Sequence, residues 1–119
     1  MISIVYSTRE DNIEHKKHLN TTTKGNVEIL QYINKGEYSL TELYNKGLDE
    51  SSNDIVVFCH DDIILKDGWD VKILNHFKNT DYGILGMAGT TNIDESGQWW
   101  KDTTKMVGIV KHSSEGKTW

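Results

Sequence analysis

The sequence predicts an α/β domain with a largely parallel sheet flanked by helices, and two observations indicate this class. Segments with the character of buried strands alternate with helical segments in the order βαβαβαβ. One strand segment, residues 54–59 (DIVVFC), is apolar on both faces, which is typical of a central parallel strand covered by helices. At 119 residues the chain has the usual size of one domain, so residues 1–119 are expected to form a single domain.

The first third of the chain predicts two strands with a short helix between them. Residues 2–6 (ISIVY) are β-branched and aromatic, which indicates a buried strand. Ser7 and Glu10 are spaced as a capping box, which predicts a helix near residues 10–19. Residues 27–33 (VEILQYI) alternate well enough for a second strand.

Residues 39–52 have the clearest helical pattern, and the strand at 54–59 follows them. Ser39 and Glu42 form a second capping box. One helix face then carries Leu40, Leu43, Tyr44, Gly47 and Leu48. A glycine inside a helix ordinarily costs about 1 kcal/mol. On the packing face, however, Gly47 would let the helix lie close to the sheet.

The last elements are a helix, a strand and a set of short strands. Residues 67–79 predict a helix whose inward side chains are Trp69, Ile73, Leu74 and Phe77. Residues 82–89 (YGILGMAG) predict a fourth buried strand, and residues 98–119 predict short strands or a hairpin.

Composition excludes several classes of protein. The net charge of −5 argues against a nucleic-acid-binding surface, which is usually basic. No apolar run approaches the roughly 20 residues that span a bilayer, and the first ten residues do not resemble a signal peptide. The single cysteine, Cys59, fits a reducing compartment and reads as a small core residue. We therefore expect a cytoplasmic protein without a transmembrane segment.

Three polar loops follow the first three predicted strands. They are residues 7–10 (STRE), 34–39 (NKGEYS) and 60–62 (HDD). Ligands of open α/β sheets bind outside the carboxyl ends of the strands, so these loops should converge on one edge. Arg9, in the first loop, offers a guanidinium suited to a phosphate or a base edge, although many surface arginines are simply solvated.

The HDD loop is the strongest candidate for chemistry. Adjacent carboxylates repel each other unless a cation or a hydrogen-bond donor compensates them. Carboxylate oxygens suit Mg²⁺ or Mn²⁺, which bridge to substrate phosphates. In an extended segment, His60 and Asp62 would face one space while Asp61 turns away. The alternative is that Asp61 and Asp62 only cap the following turn.

Three segments, taken in order, resemble a known family. Residues 2–9 (ISIVYSTR), 40–63 (LTELYNKGLDESSNDIVVFCHDDI) and 82–92 (YGILGMAGTTN) resemble the nucleotide-sugar-binding half of family-2-like glycosyltransferases with the GT-A fold. The resemblance covers roughly residues 1–95. It implies a GT-A-like, Rossmann-like sheet with a short C-terminal hairpin or mixed strands.

The resemblance also implies roles for individual residues. Asn45 and Lys46 belong to the family's Asn-x-Gly motif, and residues 60–62 occupy the place of its Asp-x-Asp motif. Asp62 matches the final aspartate and would hold the divalent metal, Mn²⁺ or Mg²⁺. His60 replaces the first aspartate and is a possible second ligand. Asp61 would lie near the ribose or the donor sugar.

The loop after the first strand has a matching role in the family. Ser7, Thr8 and Arg9 match the loop that borders the nucleotide base and ribose. With Asn45, Lys46, His60 and Asp61, they form the expected nucleotide-sugar-binding set.

The function implied is metal-assisted transfer of a sugar from a nucleoside diphosphate sugar, with a UDP-sugar favoured, to an unknown acceptor. The chain is short for such an enzyme, and no catalytic base can be mapped onto it. Asp94, Glu95 and Asp102 are candidates by position only. The alternatives are a truncated fragment or a non-catalytic nucleotide-sugar-binding module. A short chain could also complete its site by forming a homo-oligomer.

Overall fold

The computed structural model describes residues 1–108 and 111, together with the backbone of 113–114 and 117–118. These residues form two compact units, Met1–Asp81 and Tyr82–Trp119. Within the described residues, no helix is long and apolar enough to cross a membrane.

The first unit alternates strands and helices, as the sequence predicts. Its elements are β1 (Ile2–Thr8), α1 (Ile13–Thr22), β2 (Val27–Ile33), α2 (Leu40–Glu50), β3 (Ile55–Phe58) and α3 (Trp69–Asn79). The three strands form a parallel sheet in the order β2-β1-β3. The α/β class with a parallel sheet flanked by helices is therefore confirmed, and it is consistent with a GT-A-like fold.

The central strand is β1, whereas the sequence pointed to β3. Ile2 lies opposite Val27 of β2 on one side and Ile55 of β3 on the other. Ile2, Ile4 and Tyr6 are buried and form the core with Leu19 and Trp69. In the described part of the chain β3 pairs only with β1, so residues 55–57 are half-buried and Phe58 is exposed.

Helix α1 begins later than its predicted start. Ser7 does not cap a helix, because β1 continues through Thr8 and these two residues pair with Tyr32 and Ile33 of β2. Asn12 is the actual cap, and its Oδ1 accepts a hydrogen bond from the His15 N–H at 2.9 Å. The predicted capping box at Ser7 and Glu10 is therefore wrong, since strand pairing outcompetes the local pattern.

The capping box of α2 is confirmed in both of its hydrogen bonds. Ser39 Oγ accepts from the Glu42 N–H at 3.1 Å, and Glu42 Oε2 accepts from the Ser39 N–H at 2.7 Å. Gly47 is buried against the sheet, as expected. The predicted apolar face is too wide, because Leu40 and Leu48 are 41% and 52% exposed.

Helix α3 is joined to the α1–β2 loop through a buried carboxylate. Asp70 is 3% exposed, and its two oxygens accept hydrogen bonds from the backbone N–H groups of Lys24 at 3.0 Å and Gly25 at 2.8 Å. Burial opposes ionisation of Asp70, but these hydrogen bonds outweigh it and lower its pKa below the usual aspartate range. Trp69 packs in the core as predicted, whereas Leu74 is exposed.

Replacing Asp70 with alanine should destabilise the protein by about 2–3 kcal/mol, because two backbone N–H groups would lose their acceptor. Since the folded pKa is depressed, the carboxylate's contribution is complete above the unfolded pKa of about 4 and is lost as the pH falls through the lower folded value. Urea unfolding across this acid range measures both effects. Asp67→Ala is the matched control, because the Asp67–Lys24 ion pair is exposed and should contribute less than about 1 kcal/mol. Equal losses from the two variants would contradict the prediction.

The second unit contains two short antiparallel pairs. β4 (Gly89–Thr90) pairs with β5 (Met106–Val107), and β6 (Ser113–Ser114) pairs with β7 (Lys117–Thr118). The predicted short strands of the tail are thus confirmed. The predicted buried strand at 82–89 is wrong: only Gly89 is in a strand, and Ile84 and Met87 are 91% and 70% exposed. In the described residues no strand pairs with residues 82–88, so this segment makes no sheet hydrogen bonds. Its large apolar side chains are therefore left exposed.

Candidate functional site

The loops after β1, β2 and β3 meet at the carboxyl edge of the sheet. Thr8 O, at the end of β1, accepts a hydrogen bond from the Asn34 N–H at 2.8 Å. Asn12 Nδ2 donates to the backbone oxygen of Asp61 at 3.4 Å. The structure therefore brings together the three loops that the parallel-sheet rule placed at one edge.

Two adjoining surface cavities lie along this edge. The first, of about 510 Å³, is lined by Arg9, Glu10, Lys35 and Gly36. The second, of about 420 Å³, is lined by residues 8–14 and Asp61. Both volumes lie in the range of small-molecule sites. Arg9 and Glu10 line both cavities, so one elongated ligand could contact the first loop, Lys35 and Asp61.

The HDD segment forms a turn. The Ile63 N–H donates to the His60 oxygen at 3.5 Å, and the Tyr44 hydroxyl donates to the Cys59 oxygen at 3.1 Å. Asp61 is half-buried, whereas His60 and Asp62 are exposed. In the part of the chain that the structure describes, neither aspartate forms an ion pair. Both carboxylates remain available to an external cation.

The two aspartates make the electrostatic potential around the turn negative. Burial, followed by the charges of Asp61 and Asp62, raises the pKa of the Cys59 thiol to about 12. Burial and the neighbouring His18 lower the pKa of His15, although Asp61 and Asp62 act in the opposite direction. Cys59 therefore stays protonated at neutral pH, which fits a core residue rather than a nucleophile.

A hydrogen-bond network centred on the Gln31 side chain of β2 holds the loop that follows β1. Gln31 Oε1 accepts from the Tyr6 hydroxyl at 2.9 Å and from the Asn12 N–H at 3.1 Å. Gln31 Nε2 donates to Asp11 Oδ1 at 2.7 Å. Asp11, Asn12 and Gln31 were not predicted from the sequence, and Lys35 was predicted only as part of the loop at residues 34–39. Only Gln31 left a signal, as a polar side chain within the apolar residues of β2.

Some predicted binding residues line the cavities and others do not. Thr8 and Arg9 are among the lining residues, whereas Ser7 is half-buried within β1. Asn45 and Lys46 are exposed on α2 and line neither cavity. Lys46 Nζ lies 3.8 Å from Glu50 Oε1 and 5.4 Å from the Tyr32 ring centroid.

The three candidate bases lie in the second unit. Asp94 Oδ2 pairs with Lys101 Nζ at 2.8 Å, and Asp94 Oδ1 accepts from the Ser96 N–H. These contacts, Lys101 foremost, lower the pKa of Asp94 and make it a weaker base. Asp102 Oδ1 accepts from the Thr104 N–H at 3.0 Å, and Glu95 is exposed.

Among the described residues, no group of three or more histidine, cysteine, aspartate or glutamate side chains is arranged to hold a metal ion. Mg²⁺ is often held by one or two carboxylates together with substrate phosphates and water. The exposed carboxylate of Asp62, beside Asp61, fits that second kind of site.

Residues 4–118 match the model of a glycosyltransferase-like family. No curated protein and no solved structure matches the chain. The family match extends over both compact units, beyond the roughly 95 residues that carry the resemblance in the sequence.

Proposed function

The chain belongs to this glycosyltransferase-like family, and from that premise we propose that it takes its sugar from a nucleoside diphosphate sugar, with a UDP-sugar favoured. One observation carries the proposal: two adjoining cavities at the carboxyl edge of the sheet join Arg9 and Lys35 to the acidic turn at Asp61. Arg9 and Lys35 offer positive charge to the phosphates, although Glu10 lies beside them, and Asp61 offers a carboxylate to the sugar. This supports a ligand whose phosphates lie between a nucleoside and a sugar.

Each part of the edge has a chemical task in this proposal. The Arg9 guanidinium offers paired donors to a phosphate or to the edge of a base, and Lys35 adds a second positive charge. Thr8 lines the adjoining cavity and would offer a neutral hydroxyl to the ribose. Asn12 holds the Asp61 backbone beside it, and the Asp61 carboxylate would accept hydrogen bonds from sugar hydroxyls.

We assign the metal to Asp62, with His60 as a possible second ligand. Asp62 lines neither cavity, but it adjoins Asp61, is exposed and has no lysine or arginine partner among the described residues. These features support its approach to a cation bound by the ligand's phosphates. Mn²⁺ or Mg²⁺ at this position would stabilise the negative charge that develops on the departing nucleoside diphosphate. Asp61 adds negative charge to the same turn.

A nucleotide-sugar-binding module without transfer activity is the second candidate. It is favoured by the state of the candidate bases, because Asp94 and Asp102 are both engaged in hydrogen bonds of their own turns. Hydrogen bonds within the turn compete with an acceptor hydroxyl for these carboxylates, and the lowered pKa of Asp94 makes it a weaker base as well.

Isothermal titration calorimetry tests the proposal. We expect UDP and UDP-glucose to bind with micromolar to millimolar affinity, and Mn²⁺ to tighten binding by about tenfold, equivalent to about 1.4 kcal/mol. Release or transfer of the sugar would support the enzyme, and binding alone would support the module. No binding of either ligand, with or without Mn²⁺, would contradict both candidates.

A further inference from the structure

The segment that carries the aspartates lies along one face of α1. Asn12 Nδ2 donates to the Asp61 oxygen, and His15 Nε2 lies 4.0 Å from Cys59 Sγ. His18 Nε2 accepts from the Leu65 N–H at 2.9 Å, and the Thr22 oxygen accepts from the Gly68 N–H at 2.8 Å. The spacing of residues 12, 15, 18 and 22 puts them on one face of α1. This face therefore contacts the β3–α3 connection at several points between Cys59 and Gly68.

Among these contacts, the one made by His18 is a hydrogen bond from a helix side chain to the backbone N–H of Leu65. Leu65 follows Asp62 by three residues, and its N–H is held by a side chain rather than by a strand or helix partner. An imidazole nitrogen that accepts a hydrogen bond must be unprotonated, so this contact requires neutral His18 with its proton on Nδ1. Two other side chains also hold this segment, but each has a second structural role. Asn12 caps α1, and Tyr44, whose hydroxyl donates to the Cys59 oxygen, packs its ring 4.8 Å from the Phe58 ring.

We propose that His18 is a positioning residue: its neutral imidazole fixes the segment after Asp62 and thereby holds the Asp61–Asp62 turn in its ligand-binding conformation. This inference rests on the proposed function, since it concerns the same turn.

Several charged or titratable groups surround this contact. The His15 ring stacks on His18 with ring centroids 6.3 Å apart, and the Tyr6 ring meets His15 edge-on at 4.6 Å. Asp61, Asp62 and the Cys59 thiol belong to the segment itself. Burial, followed by the neighbouring His18, lowers the pKa of His15, although Asp61 and Asp62 act in the opposite direction.

Two variants separate positioning from simple packing. His18→Gln retains an acceptor at about the place of Nε2. His18→Leu keeps the apolar bulk and removes the acceptor. His76→Leu, at an exposed histidine of α3, is the matched control. The readouts are hydrogen exchange of the Leu65 amide and UDP affinity in the presence of Mn²⁺.

We expect His18→Leu to weaken UDP binding by about tenfold and to speed Leu65 exchange by a similar factor, as for loss of one hydrogen bond. His18→Gln should stay within about twofold of the wild type in both readouts, because its side-chain oxygen can accept the hydrogen bond from the Leu65 N–H. Faster Leu65 exchange in His18→Leu with unchanged UDP affinity would overturn the inference alone. A wild type that binds no UDP would overturn the proposed function as well, and the two failures are therefore distinguishable.

Discussion

Replacing Asp62 with alanine should abolish the enhancement of UDP binding by Mn²⁺ while leaving the metal-free affinity within about twofold. Loss of a metal ligand or of its supporting partner commonly costs about 10–100-fold in metal affinity. Asp62 is exposed at the end of the turn and has no ion-pair partner in the described residues, so its removal should disturb the fold little. Calorimetry with UDP, at several Mn²⁺ concentrations, measures the effect.

Asp54→Ala is the matched control for this experiment. Asp54 is also an exposed aspartate, and it precedes β3 at the amino edge of the sheet, whereas Asp62 follows β3 at the carboxyl edge. Both variants change the net charge equally, so a general electrostatic effect would appear in both. If Asp62→Ala binds UDP as the wild type does at every Mn²⁺ concentration, the metal assignment is wrong.

Replacing Gly47 with valine should destabilise the protein by about 3 kcal/mol, which is the upper part of the range for overpacked cores. A Cβ at position 47 would overlap Val5 Cγ1 and lie 2.9 Å from Val5 Cγ2. Val5 is fully buried in the central strand, so it has no space to move into. Urea or thermal unfolding measures the loss.

A double-mutant cycle identifies the cause of this effect. Gly47→Ala should cost about 1–2 kcal/mol, because steric overlap exceeds the gain of about 1 kcal/mol in helix propensity. In the Val5→Ala background the overlapping methyl groups are gone, so the same change should become neutral or stabilising. Asn45→Ala, at an exposed position of α2, controls for helix propensity alone. Equal costs of Gly47→Ala in both backgrounds would contradict the steric explanation.

From the sequence, the edge of the sheet that carries the candidate site could be predicted more accurately than the residues that form the site. The three loops were predicted because each follows an apolar strand, and parallel strands end at a common edge. Gln31, Asn12 and His18 were not predicted, because each acts on residues that are distant in the chain. Gln31, for example, holds Asn12 across 19 positions, and His18 holds Leu65 across 47.

The sequence by itself determined those features that depend on residues close together along the chain. The capping box of Ser39 and Glu42, the bounds of β2 and the close-packing role of Gly47 all follow from local spacing and residue size. The tertiary structure alone decided which strand is central, where β1 ends and what caps α1. It also decided that residues 82–88 form no strand and that α1 holds the acidic turn. These features depend on pairing and packing between segments far apart in sequence. The strand partner of Ser7 and the His18 side chain that accepts from the Leu65 N–H both outweigh local preferences.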